Sequence, residues 1–259
     1  MSNYRADAVV LAGGDGSVID PAVRAKGQVP VLGRPMVEWV VDALIAAETV
    51  RDITVVTPTL DGLEHLADKV THLVINDGSF MENALAGFAQ VRGDLHVVWA
   101  TGDIPALTPE AVDEIVNRTL AAGADFSYPL ISREAMEAEF PGSVRSFFKI
   151  ARGTYTGGNV VVSPAKLADG SLTDLFQEFY DARKSVVKTL RIVGPGFAAK
   201  LALGTLDTPA IEKKLSKLFR APCHALYDPH PSVGADVDKP IDRVVVEEAL
   251  ERRARRQAS

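Results

Sequence analysis

Short apolar runs alternate with longer amphipathic stretches along this chain. The runs Ala8–Leu11, Ile53–Thr57, Leu73–Ile75, Leu95–Trp99 and Phe126–Ile131 are rich in β-branched residues and predict strands. Between them, the stretches near Pro35–Ala47, Phe80–Val91 and Pro109–Ala122 read as helices. Thr108-Pro109-Glu110 is a strong helix start, with a hydroxyl N-cap, proline at the first helical position and an acid in the first turn. Gly33 before Pro35 and Ser163 before Pro164 are weaker versions of it. Two further strands are expected at Val144–Ile150 and Asn159–Ser163. The chain then reads as mainly helical to Arg220, returns to a strand near Cys223–Tyr227, and closes with a helix from Pro240. This alternation implies an α/β fold, a mostly parallel central sheet flanked by helices. One domain over residues 1–259 is expected, with a mainly helical insertion at about 164–221.

Composition narrows the function classes. With 259 residues and 47% hydrophobic content the chain can bury a full core. Its 28 basic against 34 acidic residues, a formal charge of −6, argue against a nucleic-acid partner. Cys223 is the single cysteine, which excludes an internal disulfide framework and fits a reducing cytoplasm. No apolar run approaches the roughly eighteen residues of a membrane helix, and the first residues carry no apolar leader. A cytoplasmic protein with no transmembrane segment is the expectation. The five histidines show no metal-ligand spacing.

The chemistry concentrates where strands end. The first strand empties into Leu11-Ala12-Gly13-Gly14-Asp15-Gly16, which exposes backbone N–H groups with no side chains in the way. Lys26 brings a mobile positive charge back to the same loop, and the pair suits a triphosphate. Gly27-Gln28 after the lysine excludes a Walker-type loop, and the missing third glycine excludes a dinucleotide fingerprint. After the fourth strand, Gly102-Asp103-Ile104-Pro105 presents one carboxylate, placed either to hold a divalent cation such as Mg²⁺ or to cap its own turn. Asp236-Val237-Asp238 presents two more that point the same way if extended; there the competing role is capping the last helix. Gly157-Gly158-Asn159 reads either as a close approach of ligand to backbone or as a bulge, with Lys149 upstream within reach of a phosphate. Asn76, Gly78 and Asn83 follow the third strand and offer polar groups to a base edge, against the commoner reading of an Asn/Asp-Gly turn.

The ordered set Leu11-Ala12-Gly13-Gly14-x-Gly16, Lys26, Pro30-Val31-x-Gly33-Arg34-Pro35-Met36, Gly102-Asp103-Ile104-Pro105, Gly157-Gly158-Asn159 and Asp236-Val237-Asp238-x-Pro240 resembles the nucleotidyltransferases of the nucleotide-diphospho-sugar transferase fold. It is most similar to the molybdenum-cofactor guanylyltransferase-like branch. The resemblance implies a Rossmann-like sheet and transfer of a nucleoside monophosphate from a triphosphate to a small phosphorylated sugar, polyol or cofactor, with release of pyrophosphate. It places the triphosphate, with GTP or CTP favoured, on Gly13, Gly14, Gly16 and Lys26; Leu11 and Ala12 lead into the same loop, and Asn76, Gly78 and Asn83 remain base-side candidates from their position alone. It places Mg²⁺ on Asp103 and Asp238, with Asp236 as a third ligand, the acceptor at Gly157, Gly158 and Asn159, and catalysis on Lys26 and Asp103; Lys149 stays an acceptor-side candidate from its position alone. One departure stands out: many members carry an arginine where this chain has Val18, with Arg24 and Arg34 as the substitutes at hand. The alternative function is therefore a weak or inactive nucleotide-binding or regulatory module on the same fold. The basic, apolar segments Ala182–Lys188 and Phe197–Leu203 of the insertion suggest a packing subdomain, with a lid, a membrane-surface contact or a homodimer contact as sharper readings.

Overall fold

The computed structural model of the chain describes residues 5–165, 192 and 194–258. Among these, nine strands form one mixed sheet. Its parallel half contains β1 (Ala6–Leu11), β4 (Val50–Thr57), β5 (His72–Ile75) and β6 (His96–Thr101), in the order β5-β4-β1-β6. Helices α1 (Met36–Ala46), α2 (Phe80–Phe88) and α3 (Pro109–Ala121) connect these strands and the next, as crossovers between parallel strands require. β1 lies in the middle of this half and is buried along almost its whole length. Such a strand reads as a continuous Ala/Val run, because both of its faces are covered.

Beyond β6 the sheet becomes mixed. β10 (Val160–Pro164) runs antiparallel to β6 and to β7 (Phe126–Ser132). β7 in turn pairs in parallel with β11 (Cys223–Tyr227) and antiparallel with β9 (Gly153–Gly157), which carries β8 (Phe148–Ile150) at the edge. This topology has one consequence for the site. Because β10 is antiparallel, its first residues lie beside the last residues of β6, where Thr101 N–H donates to the Asn159 carbonyl at 3.3 Å. Because β11 is parallel, the chain leaves it at that same edge. The glycine loop, Asp103, Asn159 and the segment leading to α7 (Pro240–Gln257) thus share the carboxyl edge of the sheet.

Several expectations shift. Only Phe148–Ile150 of the expected strand Val144–Ile150 pairs; residues 143–147 are held otherwise, with Arg145 drawn onto Asp236 and Arg133 stacked on the Phe147 ring at 4.1 Å. Helix α4 (Arg133–Glu139) went unread, although Ser132 caps it by accepting from Ala135 N–H at 3.3 Å. A small hairpin of β2 (Pro30–Val31) and β3 (Arg34–Pro35) precedes α1, turning through Leu32 and Gly33 at φ 48° and 77°. Ser163 and Pro164 are strand residues rather than a helix start. In the expected helical insertion, α5 (Pro195–Ala202) and α6 (Thr208–Phe219) are present, and the segment Ala182–Lys188 lies outside the described residues.

Candidate active site

The glycine loop is held open from below. Lys26 N–H donates to the Gly14 carbonyl and Gly16 N–H to the Arg24 carbonyl, both at 2.9 Å, so residues 24–26 run back along the loop and fix the lysine against it. Gly14 sits at φ +89°, a conformation that disfavours any side chain. Two other glycines crowd Ala12: a Cβ on Gly27 or on Gly102 would fall 2.9 Å from atoms of Ala12. Leu11 and Ala12 are tied into the sheet edge, the Leu11 carbonyl accepting from Gly102 N–H at 2.9 Å and Ala12 N–H donating to the Val56 carbonyl at 2.8 Å. The loop's shape is therefore fixed by the protein's own backbone contacts.

Asn76, Gly78 and Asn83 follow β5, two strands from β1, and Asn83 reaches the loop. Asn76 Nδ2 donates to Asn83 Oδ1 at 2.9 Å, and Asn83 Nδ2 donates to the Gly78 carbonyl at 3.1 Å. A Cβ on Gly13 would lie 3.2 Å from Asn83 Nδ2, which puts Asn83 against the loop. The capping box of Ser79 and Glu82 at the start of α2 fixes this turn.

Lys26 and the carboxylates form the centre. The Lys26 ammonium donates to Asp103 Oδ2 and to Asp238 Oδ1. The side chains of Lys26 and Asp103 are 16% and 14% exposed, whereas Asp238 is 59% exposed at the mouth. One oxygen each of Asp103, Asp236 and Asp238 lie within 4.8 Å of one another. Burial works against the charge on Lys26, but Asp103 and Asp238 outweigh it and hold the ammonium above its ordinary pKa. Burial likewise opposes the charge on Asp238, and Lys26 outweighs it, so this carboxyl titrates below its usual range. Asp236 goes the other way. Its burial, with Asp103 and Asp238 adding their repulsion, lifts it to about 6 against the pull of Arg145. Asp103 Oδ1 is buried without a hydrogen-bond partner. An orphaned acceptor among three carboxylates, all hard oxygen donors, fits a divalent cation such as Mg²⁺.

Both capping alternatives fail at this centre. The Asp103 carboxylate meets Lys26 rather than a backbone N–H of its own turn. The last helix is capped by Asp242, whose Oδ2 accepts from Asp238 N–H at 3.1 Å and Lys239 N–H at 2.9 Å, which leaves the Asp238 carboxylate to the lysine.

The residues read as acceptor-side are divided. Asn159 joins the cluster, donating from Nδ2 to Asp236 Oδ1 at 2.9 Å. Gly157 and Gly158 are small because the fold needs it: a Cβ on Gly157 would fall 1.9 Å from the Tyr128 hydroxyl, and one on Gly158 2.7 Å from Pro129 Cγ. Lys149 lies on the edge strand β8, its stem packed over Gly204, away from the carboxylates. Val18 is 63% exposed. Of the two arginines considered in its place, Arg34 is bound to Asp42 at 2.5 Å and stacked on Trp39, whereas Arg24 stands beside the loop, paired with Asp77 at 2.5 Å.

The chain matches the family described as the MobA-like NTP transferase domain over residues 8–220. The chain belongs to this family. The match stops short of Asp236 and Asp238, so two of the three clustered carboxylates come from beyond it. Among solved structures, a hypothetical transferase from Thermus thermophilus is 35% identical, with a TM-score of 0.81 over 92% of this chain and 99% of that one. A nucleotidyl transferase from Methanothermobacter thermautotrophicus shares the fold at 19% identity and TM-score 0.57, covering 96% of this chain and 99% of that one. A CMP:2-keto-3-deoxy-manno-octonic acid synthetase complexed with CTP does so at 13% identity and TM-score 0.59, with the same coverage. The bifunctional protein GlmU of Rhodospirillum rubrum is 37% identical over 120 residues, 44% of this chain and only 26% of that relative. Among the described residues of this MobA-like domain, no helix is long and apolar enough to cross a membrane.

Proposed function

We propose that this MobA-like domain is a cytoplasmic nucleotidyltransferase that moves a nucleoside monophosphate from a triphosphate to a small phosphorylated acceptor and releases pyrophosphate. The observation that carries this reading is the Lys26 ammonium, fixed by the glycine loop and aimed between Asp103 and Asp238. The backbone N–H groups of Gly13, Gly14 and Asp15 cradle the phosphates, those of Ala12 and Gly16 being spent on the carbonyls of Val56 and Arg24, and Lys26 turns from the carboxylates to the phosphates, neutralising charge as it builds on the leaving pyrophosphate. Asn76, Gly78 and Asn83 receive the base. Asn159 and the mouth beside Asp238 receive the acceptor, whose phosphate oxygen attacks the α-phosphorus; Gly157 and Gly158 shape the wall, and Lys149, packed over Gly204 on the edge strand, takes no part. Asp103, Asp238 and Asp236 would hold Mg²⁺, which when bound supplies Lewis-acid charge neutralisation at the phosphates. Catalysis here is positioning and electrostatics, with no covalent enzyme intermediate.

A pyrophosphate-release assay tests this reading, pairing each of the four common triphosphates, GTP and CTP first, with a panel of sugar, polyol and cofactor phosphates. Turnover with one pair and none without acceptor is the expected result. The exposed Val18 favours a second reading, a nucleotide-binding module. Triphosphate binding without turnover across the whole panel would establish it.

A further inference from the structure

We propose that Arg145 is a positioning residue of the carboxylate cluster: its guanidinium grips Asp236 at both side chain and main chain, and so presets the third carboxylate for a divalent cation. This rests on the reading of the cluster as a cation site. Arg145 comes from the connection between α4 and β8, outside every motif read from the sequence. Its side chain is only 8% exposed. One Nη donates to Asp236 Oδ1 and the other to the Asp236 carbonyl. Asn159 Nδ2 adds a second donor to Oδ1 at 2.9 Å, which commits that oxygen to the protein and leaves Oδ2 for another partner.

The neighbouring residues are anchored as well. Val237 N–H donates to the Asp103 carbonyl at 2.9 Å, and Asp242 holds the N–H groups of Asp238 and Lys239. The whole segment is thus laced to the two strand ends that carry Asp103 and Asn159, and Arg145 is the only cation among the described residues that ties Asp236. Burying a guanidinium is costly unless its donors are met, yet Arg145 Nε is buried with no partner. The two donors that are met both go to Asp236, so the placement of the guanidinium serves the fork on that residue. Lysine has no such fork, so the charge alone cannot reproduce the grip.

The test is a Mn²⁺ titration of the full chain, followed by electron paramagnetic resonance without nucleotide or acceptor. Arg145→Lys keeps the charge and removes the fork, so it reads positioning rather than electrostatics. Losing an outer partner of a metal ligand typically weakens binding roughly 10- to 100-fold, and that is the expected change. In turnover assays the same variant raises the metal activation constant and leaves the triphosphate KM at saturating metal within about twofold. Should Arg145→Lys not fold, Arg145→Ala with and without millimolar ethylguanidinium decides, the added guanidinium restoring Mn²⁺ affinity. Unchanged Mn²⁺ binding in a folded variant, a wild-type chain that takes up no Mn²⁺, or loss of folding in both variants overturns the inference. A chain that binds Mn²⁺ in this Arg145-dependent way but turns over no substrate pair sinks the proposed function and leaves the inference standing.

Discussion

Lys26→Met is the perturbation that separates the two jobs of this lysine. Its ammonium bridges Asp103 and Asp238. At an effective dielectric of about 20, unit charges about 4 Å apart attract by about 4 kcal/mol. The Asp238 pair is screened at the mouth, where that carboxylate is 59% exposed, and contributes at most ~1 kcal/mol. The Asp103 pair is mostly buried, and part of its attraction offsets the desolvation of both groups. A net loss of about 2 kcal/mol follows for the variant, or a melting temperature lower by roughly 4–8 °C for a chain of this size. Turnover should fall about 10²–10³-fold, the usual effect of removing one well-placed charge contact. The decisive assay is calorimetry with Mg²⁺ alone. The ammonium and a cation would draw on the same two carboxylates, Asp103 and Asp238, so Mg²⁺ competes with Lys26 for their charge in the wild type and meets no competitor in the variant. Mg²⁺ should therefore raise the melting temperature of Lys26→Met more than that of the wild type, although the variant has lost a positive charge. An equal or smaller rise, or turnover within about threefold of wild type, would refute the shared-site reasoning.

Four further outcomes follow from the same contacts. Asp103→Asn keeps the shape and leaves Lys26 its bond to Asp238; circular dichroism should be unchanged while kcat falls about 10²–10³-fold. Gly27→Ala places a Cβ 2.9 Å from Ala12 and should cost about 1–3 kcal/mol in urea unfolding while raising the triphosphate KM through the displaced loop. Asp103, Asp236 and Asp238 outnumber Lys26 and Arg145 by one formal charge, so triphosphate binding measured without divalent cation should be weak and should improve when MgCl₂ replaces an equal ionic strength of NaCl. Burial pushes the Cys223 thiol up from 9.0 to about 11, so the folded chain keeps this proton where the unfolded chain loses it. The resulting stabilisation is complete below about pH 9 and lost as pH rises toward 11, and thiol-reagent labelling at pH 8 should be much slower folded than in denaturant.

The fold was legible where local and global signals agree. β1, β4 and β6 are apolar, largely β-branched runs with buried interiors, β5 is a short apolar edge run, and α3 begins with three mutually consistent start signals, so composition and period decide them without tertiary help. Legibility fails where tertiary contacts override the local pattern. Residues 143–147 carry apolar and aromatic side chains that suit a strand, but Arg145 is pulled onto Asp236 and Phe147 lies under Arg133, so no ladder forms until Phe148. Helix α4 follows a strand without a glycine or proline between them, and Ser132 alone marks the change; the serine and the Glu134 that follows in the first turn were a readable start.

The site divides along the same line. Lys26, Asp103 and Asp238 were legible because each follows a strand or precedes a helix, and in an open parallel sheet such positions collect at one edge whatever the details of packing. Asn159 was legible as a position but not as a partner: nothing in Gly157-Gly158-Asn159 announces that β10 runs antiparallel, and it is this reversal that brings Asn159 to Asp236 rather than to the far end of the sheet. Arg145 carried no signal. A buried arginine is recognised by the carboxylate it meets, and its carboxylate lies 91 positions away in the chain. Asp236 itself carries the hint, since a third acid packed against two others at a buried site requires a cation or a proton to be stable. Lys26 is already engaged by the other two, so Asp236 needs a partner of its own, and only the fold shows that Arg145 supplies it.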